Sequence, residues 1–209
     1  HLGALTLAAA LISLSIAAPG ALAAPLDASS PNDGPWGRFS DALTLIEQSA
    51  RSPLIREEVE LGALVPSDSL VLIAPDGPLP VQPLLQFMRS GGRLAIFDES
   101  DAILPLLRAF EIDRRPHATG SYPPHLRGDG DLPIATPDTA HPTNQGVDAL
   151  LMHSPLQLDH ASLTPLFRVG GANGPGVALA GAVGQGRLLV FGDSSMLTDQ
   201  QLRLASHRA

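Results

Sequence analysis

SLVLIAPDGPLPVQPLLQFMRSGGRLAIF, residues 69–97, is the stretch from which we predict the fold. The run Ser69–Ala74 is continuously apolar after its first residue, which is typical of a strand covered on both faces, as in a parallel sheet. A stripe with helical spacing follows and ends at Gly91-Gly92; its apolar members are Val81, Leu84, Leu85 and Met88. A second apolar run, Arg93–Phe97, completes a strand–helix–strand unit.

A second helix is predicted directly after this unit. Its apolar stripe consists of Ile103, Leu106, Leu107 and Phe110. Ser100 or Asp101 stands where an N-terminal cap is expected. Strand, helix, strand and helix at this spacing form a βαβα unit with a right-handed crossover, so we expect the two strands to lie side by side and parallel in a sheet covered on both faces.

Shorter elements are predicted on either side of the βαβα unit. A helix is predicted from about Trp36 to Ala50, and Pro25–Ser29 is a candidate first strand. Arg114–Pro142 is rich in Pro, Gly, His and Asp and shows no clear period. We therefore expect it to form a long loop over one end of the sheet, and long loops in compact domains are often functional.

The C-terminal part of the chain has the pattern of a β-meander. Pro165–Val169, Gly176–Ala182 and Arg187–Phe191 are predicted strands, separated by glycine turns. Tight glycine turns join antiparallel strands. The sequence thus predicts a mixed sheet with a parallel centre and a C-terminal hairpin.

Composition excludes several kinds of chemistry. The 209-residue chain has a formal net charge of −8 and no cysteine, and all of its 13 basic residues are arginine. The absence of lysine excludes a P-loop lysine, a Schiff base to pyridoxal phosphate and a lysine general base. The absence of cysteine excludes a thiol nucleophile, thiolate metal sites and disulfides. Nucleic acid is not an expected partner of so acidic a chain, and no cofactor is expected.

Residues 1–24 have the features of a secretory signal peptide. Residues 2–18 carry only Leu, Ile, Ala, Gly, Ser and Thr, and Ala21-Leu22-Ala23 forms an Ala-x-Ala cleavage site before Ala24. Cleavage is favoured over an uncleaved anchor, because about 17 residues is the lower limit for crossing a bilayer. We expect the true start to be missing upstream, and a closing helix beyond residue 209. Residues 25–209 are predicted to form one α/β domain outside the cytoplasm, without a stable membrane span.

A Gly-Asp-Ser sequence follows the last predicted strand, in Phe191-Gly192-Asp193-Ser194-Ser195. It resembles the nucleophile block of the GDSL/SGNH esterases, and Asp138 and His141 form an Asp-x-x-His of the kind that supplies the base and its orienting carboxylate in those enzymes. The order is reversed, since the serine block opens the domain in that family. The alternative is that residues 193–195 cap a helix containing Leu197–Leu204.

Acidic residues follow three of the predicted strands. Asp76, Asp98 with Glu99, and Asp193 with Ser194 stand at strand ends that face one crevice in an open α/β sheet. We expect this crevice to be the ligand site. Carboxylates gathered there could also hold Mg²⁺ or Ca²⁺. The alternative is that these short acidic side chains cap helices and start turns.

Two stretches of the chain resemble the bacterial domain-of-unknown-function family 4350. They are Leu72–Pro75 with Gln86–Asp98, and Gly184–Ser195, supported by Arg114-Arg115-Pro116. The resemblance runs from about Asp27 to Arg208. It implies a three-layer, flavodoxin-like fold similar to class I glutamine amidotransferases and to the GIFT domain of ciliary transport proteins, located at the cell envelope. It carries over no catalytic residue, because Asp98-Glu99-Ser100 stands where amidotransferases have their cysteine.

The favoured function is therefore an extracytoplasmic, non-catalytic binding or scaffold domain. Its partner would be a protein or a small molecule at the cell envelope, bound at the crevice or at the Arg114–Pro142 loop. The second hypothesis is a serine hydrolase that uses Ser194 with His141 and Asp138. Ser100 as nucleophile and His153 as base are further alternatives for this hydrolase. The third is the divalent-cation site.

Overall fold

The computed structural model describes residues 39–49, 59–116, 124 and 129–202. The predicted signal peptide, the candidate strand Pro25–Ser29 and the expected closing helix lie outside these residues. The strands are β1 (Ser69–Ile73), β2 (Arg93–Phe97), β3 (Asp113–Arg115), β4 (Ile134–Pro137), β5 (Leu150–Leu151), β6 (Gln157–Asp159), β7 (Thr164–Val169), β8 (Gly176–Val183) and β9 (Gly186–Phe191). The α-helices are α1 (Ser40–Ser49), α2 (Val81–Arg89), α3 (Leu104–Ala109) and α4 (Asp199–Leu202).

Seven strands form one mixed sheet in the order β1-β2-β9-β8-β7-β4-β5. Strands β1, β2 and β9 run parallel. Each remaining neighbour in the sheet is antiparallel, including the hairpin β8–β9. Strands β3 and β6 form a separate antiparallel pair. The predicted parallel pairing of β1 with β2, the mixed sheet and the C-terminal hairpin are confirmed, but the parallel strands occupy one side of the sheet, not its centre.

Strand β1 is less buried than the sequence predicts. Val71, Leu72 and Ile73 are only half-buried, whereas the residues of β2 from Leu94 onward are buried. The reason is position, because β1 is the last strand in the order of the sheet and has a neighbour only on its β2 side among the described residues.

The sheet separates two apolar cores, because successive side chains of a strand point to opposite faces. Leu94 and Ile96 of β2 belong to the first core, with buried side chains of helices α2 and α3. Ala95 and Phe97 belong to the second core, which includes Met152 and Met196. We call these the helix face and the Met196 face. Among the described helices, none combines the length and the apolar character needed to cross a bilayer.

The expected Arg114–Pro142 loop contains regular structure. The end of β3 and all of β4 lie within it, and β4 pairs with β7 in the main sheet. These strands have only three and four residues, too few to show a period of two in the sequence. Deleting the whole stretch would therefore remove a strand from the sheet.

Candidate functional site

A pair of stacked rings supports the carboxyl ends of β2 and β9. Phe97 and Phe191 are register partners, and their ring centroids lie 4.9 Å apart with an interplanar angle of 8°. The next residue, Gly192, lies against the backbone of Leu156, whose N–H donates to the Gly192 carbonyl at 2.7 Å. A Cβ at Gly192 would lie 2.5 Å from the Leu156 oxygen. The ring stack thus holds the ends of β2 and β9 side by side, and the Gly192 contact fixes the segment after β9 against Leu156.

We call residues 98–100 and 193–195 the carboxyl rim. One hydrogen-bonded pair joins its two halves. Oε2 of Glu99 accepts the backbone N–H of Ser194 at 2.6 Å and its hydroxyl at 2.9 Å. Ser194 is buried, with 4% of its surface exposed.

The Asp98 carboxylate organises the turn after β2. It accepts the Ser100 N–H at 3.0 Å and the Ser100 hydroxyl at 2.8 Å. The Ser100 oxygen accepts the Ala102 N–H at 3.1 Å and so caps the 3₁₀ turn Asp101–Ile103 that precedes α3. The predicted capping role of Ser100 is confirmed.

Asp193 is the most deeply buried acid of the rim. Its Oδ1 accepts the Ser195 N–H at 2.8 Å and the Ser195 hydroxyl at 2.5 Å. Its Oδ2 accepts the His153 backbone N–H at 2.7 Å. Burial raises the pKa of Asp193 to about 7 and outweighs the lowering effect of these hydrogen bonds, while the nearby Glu99 charge raises it further.

The segment after β9 is capped by two different side chains. Through its bond to the Ser195 N–H, Asp193 satisfies a donor of the 3₁₀ turn Ser195–Leu197. The Thr198 oxygen accepts the Gln201 N–H of helix α4 at 3.4 Å. Ser194 makes no side-chain cap. The capping alternative is therefore correct only in part, because Asp193 caps a 3₁₀ turn, whereas Thr198 and not residues 193–195 caps the helix that follows.

The rim brings together most of the predicted ligand crevice. Asp98, Glu99, Asp193 and Ser194 lie in it. Asp76 lies beyond β1 and is exposed, and no hydrogen bond among the described residues joins it to the others. Within the described ranges, no three His, Asp or Glu side chains converge in a way that could hold a metal ion.

The structure does not assemble Ser194, His141 and Asp138. Strands β4, β7, β8 and β9 alternate in direction, so the segment that leaves β4 heads for the amino ends of β2 and β9. The five residues of β2 span roughly 16 Å, which separates these ends from the rim. Asp138 instead pairs with Arg168, Oδ2 to Nε, at 2.8 Å. His141 lines a cavity beside Ser69 and Arg93, the first residues of β1 and β2.

The described residues also form cavities away from the rim. An open groove of about 580 Å³ runs along residues 137–145. A more enclosed cavity of about 300 Å³ lies under His141 at the amino ends of β1, β2 and β9. Of the residues that line the second cavity, only His141 was a predicted site residue, and it was assigned to the hydrolase. A signal was present in Arg93 and Arg187, each of which opens an apolar run.

No family model matches the chain, and no curated protein matches it either. Among solved structures, the mmIFT52 N-terminal domain is similar, with 14% identity over 78% of this chain and 82% of that domain and a TM-score of 0.59. The exo-beta-1,4-mannosidase Op5Man5 from Opitutaceae bacterium strain TAV5 has 14% identity over 67% of this chain and 24% of its own, with a TM-score of 0.45. The beta-galactosidase from Bacillus circulans sp. alkalophilus has 13% identity over 78% and 25%, also with a TM-score of 0.45. At these identities the first match shows a similar fold alone, and the resemblance to family 4350 stays a prediction.

Proposed function

We propose that this protein is a non-catalytic binding or scaffold domain that acts outside the cytoplasm. The observation that carries the proposal is the hydrogen bonding of the rim hydroxyls. Ser100 donates to Asp98, Ser194 to Glu99 and Ser195 to Asp193. A serine nucleophile needs a base that takes its proton and a surface that a substrate can reach.

Burial argues against the two serines after β9 as nucleophiles. Ser194 and Ser195 are 4% and 8% exposed. The pKa of Asp193, about 7, would suit a general base. Its hydrogen-bond partner, however, is the buried Ser195. The Ser195 oxygen also accepts a hydrogen bond from Gln201 at 3.1 Å. The carboxylates therefore hold the rim together. The rim as a ligand crevice remains a prediction.

A fluorophosphonate probe tests the absence of catalysis. The intact chain is incubated with the probe and, separately, with p-nitrophenyl acetate. We expect neither covalent labelling nor hydrolysis above that of the Ser100→Ala and Ser194→Ala variants. Labelling that disappears in Ser194→Ala would overturn the proposal and restore the hydrolase.

The extracytoplasmic location is supported by the pattern of residues 1–24. A fusion protein tests this location. It carries residues 1–30, behind an initiator Met and a short basic leader, in front of an alkaline phosphatase that lacks its own signal. We expect phosphatase activity, because this enzyme is active only after export. The matched Leu11→Asp fusion should be inactive, since a charge interrupts the apolar stretch. Equal activity of the two fusions would contradict the proposal.

We also propose a three-layer, flavodoxin-like arrangement and membership of family 4350. Support comes from helix α1, which contacts helix α4. Helix α4 directly follows the 3₁₀ turn Ser195–Leu197, and Met196 of that turn lies in the second core, on the Met196 face. This contact favours a helical layer opposite α2 and α3, and the fold similarity to the mmIFT52 domain is compatible with it. An experimental structure with α1 on the helix face would contradict it.

A further inference from the structure

The enclosed cavity has a basic edge built by the sheet register. Ser69, Arg93 and Arg187 are direct neighbours across β1, β2 and β9, and all three line the cavity. Like charges directly opposite each other on neighbouring strands repel. The two arginines are nevertheless placed side by side, in a chain of net charge −8.

The guanidinium groups of Arg93 and Arg187 differ in their hydrogen bonding. Nη1 of Arg93 donates to the Ser67 carbonyl at 3.4 Å. Arg187 is exposed, and among the described residues no hydrogen bond or ion pair engages its guanidinium. Asp68 directly precedes Ser69, and its Oδ2 accepts the Val65 N–H at 2.9 Å within the preceding turn. A bound anion would relieve the repulsion between the arginines.

The floor of the cavity is apolar. Two residues further along the strands, and so on the same face of the sheet, Ala95, Leu189 and Ala180 form a register row across β2, β9 and β8. All three line the cavity. The two alanines leave open space above the sheet where larger side chains would fill it. Ser69, 3% exposed, has a hydroxyl with no hydrogen-bond partner. An oxygen atom held at this end of the cavity would provide one.

His141 adds a donor to the opposite wall. Its Nδ1 accepts the Thr143 N–H at 3.3 Å and also contacts the Thr143 hydroxyl. Because Nδ1 is an acceptor, the neutral ring carries its proton on Nε2. His141 and Thr143 both line the cavity. The residue predicted as a catalytic base is thus placed to help hold a ligand.

We propose that this cavity binds a small carboxylate with an apolar body. The carboxylate lies against Arg187 and Arg93, since a guanidinium fork matches its two oxygens, and the body rests on the alanine and leucine floor. The inference deepens the proposed function by naming a ligand class for a binding domain. A volume of about 300 Å³ is at the small end of the range for ligand pockets. The ligand is a free acid or the carboxyl terminus of a chain.

Isothermal titration calorimetry with the full chain tests this proposal. The probes are benzoate and acetyl-Ala-Ala, with benzamide as the uncharged analogue of benzoate and acetate as a carboxylate without a body. We expect benzoate or acetyl-Ala-Ala to bind at least about tenfold more tightly than both controls. Binding of benzoate alone indicates a free acid, and binding of acetyl-Ala-Ala alone indicates a chain terminus. Equal binding of acetate, or no binding of either probe, would overturn the proposal.

Variants of cavity residues test where the probe binds. Arg187→Gln should weaken binding about tenfold or more, because it removes a charged partner of the carboxylate. The control Arg108→Gln changes an exposed arginine of α3 and should leave affinity unchanged. Ala180→Val, which fills the floor, should also weaken binding. Equal affinity of Arg187→Gln and Arg108→Gln would overturn the site. Labelling of Ser194 by fluorophosphonate would overturn the proposed function but not this cavity.

Discussion

Glu99 accepts both the backbone N–H and the hydroxyl of Ser194, a residue 95 positions further along the chain. The bond joins the turn after β2 to the turn after β9. At the carboxyl edge of an open sheet, the Glu99 carboxylate would be expected to face a ligand. Instead it binds Ser194 and links the two turns of this edge.

Removing the Glu99 carboxylate should destabilise the fold. Glu99→Ala leaves the buried Ser194 without either partner, so we expect the free energy of unfolding to fall by about 2–3 kcal/mol. Glu99→Gln keeps one acceptor oxygen and should cost less. Urea denaturation measures both. The control Asp76→Ala changes an exposed residue outside the rim and should stay within about 0.5 kcal/mol of the wild type. An equal effect of the two alanine variants would contradict the role of Glu99.

Buried Asp193 should make stability fall as the pH rises. Its pKa is raised from the ordinary 3.8 to about 7, so between these values the folded state holds a proton that the unfolded state has lost. The contribution of Asp193 to the free energy of unfolding is complete below about pH 3.8. It is lost as the pH rises through 7, at up to about 1.4 kcal/mol per pH unit.

Thermal melts from pH 4 to 9 test this prediction by comparing slopes. Asp193→Asn has no carboxyl group to titrate and should show a flatter dependence of Tm on pH across the window. Asp76→Asn removes an exposed carboxylate and should retain the slope of the wild type. A wild-type slope in Asp193→Asn would show that another group is responsible.

Asp199 should hold the start of helix α1. Its carboxylate accepts the Ser40 hydroxyl and the Asp41 N–H, each at 2.8 Å, and a negative charge is favourable at a helix N-terminus. Asp199→Ala should increase amide hydrogen exchange in α1 roughly tenfold. Ser40→Ala, which loses one of the two bonds, should have a smaller effect. Unchanged exchange in Asp199→Ala would mean that other contacts hold the helix.

Glycine at position 111 should stabilise the protein. Glu111 follows helix α3 with a φ of 59°, and the next N–H, of Ile112, donates to the Leu107 carbonyl at 2.9 Å, which is a helix-ending geometry that favours glycine. Glu111→Gly should raise the free energy of unfolding by about 0.5–1 kcal/mol. The matched Glu60→Gly, at a φ of −74°, should lower it. Chemical denaturation that shows both variants shifted the same way would refute the argument.

The local part of the fold could be predicted from the sequence. Strand β2 begins and ends at the predicted residues, and strand β1 is one residue shorter than predicted. Helix α2 contains the whole predicted apolar stripe and ends before Gly91-Gly92. The signals for these elements lie within five to nine residues of chain. The Ser100 cap was equally local, since the side chain bonds to an N–H two residues away.

The rest depends on pairings between distant residues. Arg93 lies beside Arg187 only because β9 pairs with β2 in the sheet. No hydrophobic periodicity in the sequence predicts this pairing. The third donor to Asp193 is the backbone N–H of His153, a group that every residue except proline carries. The sequence places Ser194 after a predicted strand but His141 in a predicted loop, so it does not reveal β4 or that β4 runs opposite to β9.

The late position of β9 in the chain has a consequence for how the protein is made. β9 lies between β2 and β8 in the sheet but is the last of the described strands to be synthesised. A nascent chain that has not yet emerged from the ribosome past residue 186 cannot join its parallel strands to its antiparallel ones. Until then it presents two open strand edges, which are sites of aggregation. A chaperone that protects the growing chain should therefore improve its yield.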